Sequence, residues 1–167
     1  MTDARWIDVD DDVAVAVRHF HNAGRLFDAG GFDDDDLDGY RARMALQHAM
    51  QAAHTSLEAA LMRILDILGE DAPTGASSHS DLVRRAARAL DLPDRTRPAI
   101  LTPALVVDVD ETRRFRHRAT HDYDSFVPHR AGPSVEAAKR IAASLSDCIR
   151  EFRDAVDPPS STPGYGA

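Results

Sequence analysis

The stretch VEAAKRIAASLSDCIREFRDAV, Val135 to Val156, decides the fold. Val135, Ala138, Ala142, Leu145, Ile149, Phe152 and Val156 fall at alternating steps of three and four residues. A strand alternates every second residue, so this seam specifies a long helix with one face buried along its whole length. Ser134 is placed to cap that helix, and Pro128–Pro133 reads as the close of the element before it.

The same period recurs upstream. Val13, Val17, Phe20 and Phe27 give a first helix of four or five turns that Gly30-Gly31 ends. The acidic run Asp33 to Asp36 then precedes a helix start, where negative charge is favourable. From about Leu37 to Leu68 no proline occurs, and Leu57, Leu61, Ile64, Leu65 and Leu68 form a dense apolar stripe. The earlier half of that segment is softer, with Met44, His48, Gln51 and His54 on related faces. Such a face suits either a partner groove or an exposed helix end. Ser80 caps a short helix over 81–90, and Asp91–Pro98 reads as a turn. Thr102-Pro103 is a clean start for a fourth helix running toward Arg116–Tyr123. No strand alternation and no repeat occurs. The expectation is an all-α, up-and-down bundle of about five helices. Residues 1–36 form an N-terminal helix and acidic linker on or beside the bundle, 37–157 the helical domain, and 158–167 a disordered Pro/Ser tail.

At 167 residues, with 43% hydrophobic and 29% charged, the chain can bury a core and is not disordered as a whole. A single cysteine, Cys148, excludes a disulfide framework and a cysteine-based zinc finger, and is expected to be a small buried residue beside the last helix seam. No apolar run reaches the roughly 18–20 residues that span a bilayer, and no signal peptide opens the chain, so a cytoplasmic protein without membrane association is expected. The net charge of −8 looks hostile to nucleic acid. Its distribution reverses that impression. Residues 1–40 hold eleven aspartates against three arginines, which accounts for the whole −8. Between Arg84 and Arg118 stand nine arginines against five acids. Lys139 is the only lysine, and arginine is the cation suited to bidentate phosphate contact.

The chemistry concentrates in Arg113-Arg114-Phe115-Arg116-His117-Arg118-Ala119-Thr120-His121-Asp122-Tyr123-Asp124. On a regular helix Arg116 and His121 sit about 140° apart, so they converge only where the helix loosens or ends. A histidine beside arginine suits phosphodiester cleavage. The imidazole moves a proton at the ribose hydroxyl or leaving oxygen, and the guanidinium stabilises charge on the phosphate. RNA carries its own nucleophile, so no metal or other cofactor is expected. The same residues also read as a solvated basic helix end anchored by Phe115. A third reading takes His117, His121 and Asp124, spaced i, i+4, i+7, as metal ligands, although no further ligand is evident. The other histidines (His19, His21, His48, His54, His79 and His129) form no ligand-spaced set and are expected at the surface or in a groove.

Arg116, four residues, His121, one residue and Tyr123 resemble the Arg-x4-His-x-Tyr signature of HEPN-domain ribonucleases, in particular the HepT-like toxins. The resemblance extends over roughly Leu37 to Phe152. It includes Arg97-Pro98 ahead of the signature helix and the long helix after it. It implies a HEPN-like bundle, a homodimer with the two signatures facing one cleft, and metal-independent endonuclease activity on RNA in a toxin–antitoxin pair. Arg116 and His121 carry over as the catalytic pair, with Arg113, His117 and Arg118 as supporting RNA contacts. Tyr123 carries over as the residue that a minimal nucleotidyltransferase antitoxin modifies with adenylate, blocking the cleft by bulk and charge. Some relatives of this fold instead act as non-catalytic, nucleotide-binding partners of nucleotidyltransferases. The acidic N-terminal segment either competes with RNA for the arginine-rich site or serves solubility.

Overall fold

A computed structural model describes the backbone of residues 4–75, 77–91, 93, 96–121 and 127–158. Side chains are described over the same ranges except at 116–121, 128 and 129. Five helices form the described fold: α1 (Ala4–Ala29), α2 (Leu37–Ile67), α3 (Ser78–Ala86), α4 (Pro103–His121) and α5 (Pro128–Val156). Between α3 and α4 lies a minimal antiparallel ladder of β1 (Leu90–Asp91) and β2 (Thr96–Arg97). The architecture is the all-α bundle expected from the periodicity; the short ladder sits largely where a turn was expected, but α3 ends at Ala86 and Leu90, expected inside that helix, opens β1.

α1 is longer than its apolar pattern suggested, at 26 residues, because Trp6 and Val9 extend its buried stripe toward the N-terminus. That stripe packs against α2 and α5, sharing one core with them. Gly24 is the close-approach point, where a Cβ would lie 2.9 Å from Lys139 Cγ. Ion pairs tie the same faces: Asp8 and Asp12 hold Arg63, Asp10 holds Arg153, and Asp28 holds Lys139. At the far end Trp6 Nε1 and Arg5 donate to Asp157. These pairs set α1 antiparallel to both α2 and α5. Much of the N-terminal acidity is thus spent on neighbouring helices.

The turn from α1 to α2 uses Gly30 (φ 70°) and Gly31 (φ 82°), left-handed conformations that a side chain would strain. Phe27 and Phe32 close over it, and Asp36 caps α2 by accepting from Gly39 N at 2.9 Å. Along the first half of α2 the buried line is Leu46, Ala49, Met50, Ala53 and His54. His48 and Gln51 are exposed, so the soft face expected to run through to His54 divides between core and solvent.

Two helix starts differ from their sequence expectation. α3 begins at Ser78 rather than after Ser80, since Ser77 Oγ bonds the Asp81 carboxylate and Ser80 Oγ turns back to Ser77 O. α5 begins at Pro128, with Pro133 inside it, rather than at Ser134. Pro133 falls in the second turn, past the first-turn position where proline is free, so it removes the hydrogen bond to the carbonyl four residues before it. Ser134 is fully buried and braces α4 instead of capping.

A buried ion pair anchors the α2–α3–ladder junction. Arg97, 1% exposed, meets Glu70 at 2.6 Å and donates to the carbonyls of Arg88 and Pro98 at 3.0 Å. Arg85 adds a second cation to Glu70 at 3.2 Å.

Candidate functional site

α4 carries Arg116 and His121, and three contacts fix how it sits. Cys148 Sγ on α5 contacts Ile100 O just before α4 at 3.2 Å. Arg140 grips Asp108 through three hydrogen bonds of 2.7 to 3.2 Å. Ser134 Oγ reaches Glu111 Oε1 at 2.9 Å. The contacts descend α5 as they climb α4, so the two helices are antiparallel. Arg140 is held charged by its hydrogen bonds to Asp108. Burial pushes the Cys148 thiol up, which disfavours its thiolate.

A fourth contact comes from α2. His54, 1% exposed, bonds Thr112 Oγ1 at 2.8 Å through Nε2. Thr112 donates its own hydroxyl hydrogen to Val109 O, so the hydrogen between the two belongs to His54 Nε2. Phe20 packs its ring edge-on against the imidazole. Thr112 lies one turn before Arg116, so this buried bond sets the height and rotation of α4 directly beneath the signature. His54 was expected at the surface or in a groove; its core partner, far away in sequence, left no local signal.

The helix continues through Arg116 and is described as far as His121. On its backbone, Arg116 follows Val109 and Thr112 on the core-facing side, whereas His121 follows Val107 and Arg114 on the solvent-facing side. The two signature positions therefore lie about 140° apart on one regular helix. Tyr123 and Asp124 lie outside the described residues, as do the side chains of Arg116, His117, Arg118 and His121. Among the described side chains no cluster of three metal-ligating groups occurs, and the His117, His121 and Asp124 set falls outside them. His19 and His48 stack edge to face across α1 and α2, and His79 pairs with Glu58 at 2.8 Å.

Most of the arginine excess has local partners. Arg113 pairs with Asp110 at 3.3 Å, Arg114 with Glu111 at 3.5 Å, Arg84 with Asp81, and Arg85 and Arg97 with Glu70. The cationic footprint is thus narrower than composition implied. A groove of about 440 Å³ runs between α4 and α5, lined by Val107, Asp108, Glu111, Arg114, Pro133 and Arg140 among others. Its described part is mixed in charge, and the helix period carries its α4 wall onward to Arg118 and His121.

A family model described as HepT-like protein matches residues 45–156. The chain belongs to the HepT-like family. No curated protein and no solved structure gives a match. The HepT-like match begins inside α2 and ends at the last residue of α5, so it takes in the ion-pair junction, the signature helix and its brace. α1 lies outside the HepT-like region, although its side chains complete the same core. No helix among the described residues is long and apolar enough to cross a membrane.

Proposed function

We propose that this HepT-like chain is a metal-independent endoribonuclease, the toxin of a toxin–antitoxin pair, acting as a homodimer in the cytoplasm. The observation that carries the reading is the Arg116–His121–Tyr123 spacing inside the region that matches the family, with Arg116 and His121 on α4. The ribose 2′-oxygen attacks phosphorus, forming a cyclic phosphodiester as the bond to the 5′-oxygen breaks. His121 takes the 2′-hydroxyl proton or supplies one to the leaving oxygen, and Arg116 stabilises the charge that builds on the phosphate. The placement of the two residues on opposite sides of α4 favours a cleft built by two copies, with Arg116 of one beside His121 of the other. A minimal nucleotidyltransferase antitoxin silences the site by transferring AMP from ATP to the Tyr123 hydroxyl with release of pyrophosphate, which adds bulk and negative charge to the site.

The test is cleavage of RNA by the purified chain, compared with Arg116→Ala and His121→Ala. Loss of cleavage in both is expected, and equal cleavage by wild type and His121→Ala refutes the assignment. Intact mass after co-expression with the nucleotidyltransferase tests the modification, with Tyr123→Phe as the unmodified control.

A second reading makes the chain a non-catalytic helical partner of a nucleotidyltransferase. The local pairing of Arg84, Arg85, Arg97, Arg113 and Arg114 favours it, because paired arginines leave less free charge for RNA. Robust cleavage by the isolated protein rejects it.

A further inference from the structure

The first turn of α5 supplies a cation that the signature does not contain. α5 carries five cationic side chains. Lys139 is held by Asp28 and Glu136, Arg140 by Asp108, Arg150 by Asp147, and Arg153 by Asp10. Arg130 is exposed and, among the described residues, makes no ion pair and no side-chain hydrogen bond.

Its direction follows from the helix. Ser134 and Arg140 contact α4, and Ala137, midway between them, is buried. Arg130 is seven residues before Ala137 and therefore shares its α4-facing side. Its level follows from the antiparallel register. Ser134 lies opposite Glu111, Arg140 opposite Asp108 and Cys148 opposite Ile100. Continued toward the start of α5, that register sets Arg130 opposite residues 115–118 of α4. Packed helices lie about 8–10 Å apart, a span that two arginine side chains bridge around one phosphate group. Among the described residues Arg130 has no ionic partner, and its position level with the turn that contains Arg116 and Arg118 concentrates positive charge that an anion would offset.

We propose that Arg130 is a phosphate-binding residue of the HepT-like site, gripping the backbone of single-stranded RNA on the α5 side of α4. This rests on the ribonuclease reading for its ligand, while its readout is binding rather than cleavage. The experiment titrates a labelled single-stranded RNA into full-length His121→Ala protein, alone and with Arg130→Ala, Arg130→Lys or Arg150→Ala added, at several salt concentrations. Arg130→Ala is expected to weaken binding about ten-fold and to reduce the salt slope by about 0.7, one phosphate contact on a single strand. Arg130→Lys should recover the slope but only part of the affinity, because the ammonium cannot form the bidentate contact. Arg150→Ala, which removes the same charge from a paired position, should change neither. Unchanged affinity and slope in Arg130→Ala, or an equal loss in Arg150→Ala, overturns the proposal. In the wild-type background the two readings separate. Cleavage with KM unaffected by Arg130→Ala leaves the nuclease and removes this contact. RNA binding that depends on Arg130 without any cleavage keeps the contact and removes the nuclease.

Discussion

Thr112→Val is the sharpest probe of how the bundle supports its signature helix. Valine matches threonine in shape, so the substitution removes the hydroxyl and little else. In the wild type His54 Nε2–H donates to that hydroxyl across 2.8 Å, at a site where His54 is 1% and Thr112 0% exposed. Without the hydroxyl, a buried donor is left without its acceptor, and no water reaches it. The cost is about 1–3 kcal/mol, against about 1 kcal/mol for a hydrogen bond lost with both partners removed. For a chain of this length each kcal/mol shifts the melting temperature by about 2–4 °C, so a drop of roughly 2–12 °C is expected. Thr112→Ser keeps the acceptor and loses only a methyl group, so it should fall by less. The decisive assay is the double-mutant cycle with His54→Leu, read by urea denaturation. Removing donor and acceptor together should cost less than the sum of the single changes by about 1 kcal/mol or more. Additive single costs, or a Thr112→Val protein as stable as wild type, would refute the claim that this bond holds α4 to α2.

Three further outcomes follow from other contacts. Arg97→Met should destabilise by about 3–5 kcal/mol, because it strips the main cation from buried Glu70, and adding Glu70→Gln should recover much of the loss in chemical denaturation. Gly39→Ala should lower the melting temperature and loosen the start of α2, since a Cβ there meets the Asp34 carbonyl oxygen, with an overpacking cost of about 1–3 kcal/mol. The His19 imidazole is held below its ordinary value of 6.5 by burial, then by Arg18 and His48. The unfolded chain therefore binds this proton more readily, so its contribution is fully present above pH 6.5 and is lost as pH falls through the lowered folded value. Melting temperature followed downward from pH 7 should decline less steeply in His19→Gln than in wild type.

The legible and illegible parts of this molecule divide by sequence distance. The seam from Val135 to Val156, the Thr102-Pro103 start and the Gly30-Gly31 break are local signals, and each marks its element in the structure. The start of α5 was misplaced because Ser134 looks like a cap, whereas its hydroxyl is engaged by Glu111, 23 residues away. His54 was read as a groove residue because its partner Thr112 lies 58 residues on. The arginine excess was over-read for a similar reason: composition counts charges but not the carboxylates they meet. Arg130 was missed because it falls outside the signature, and only its seven-residue spacing from Ala137 hinted at its direction. The Arg-x4-His-x-Tyr spacing was legible at once, yet that spacing alone could not tell that α4 stays helical as far as His121.

Lys139 gives this protein an unusual handle. It is the sole lysine of the chain, and its stem crosses Gly24 while its ammonium holds Asp28 at 2.9 Å and Glu136 at 3.0 Å. Apart from the chain's amino terminus, amine-directed reagents therefore have a single address, and a lysine-specific protease has one peptide bond to cut. The side chain is 35% exposed, so acylation needs only release of the ammonium from Asp28 and Glu136, whereas cleavage must wait until α5 unravels around Lys139. The rate of cleavage at Lys139 is thus a clock for the local opening of α5, readable by mass spectrometry without any engineered label.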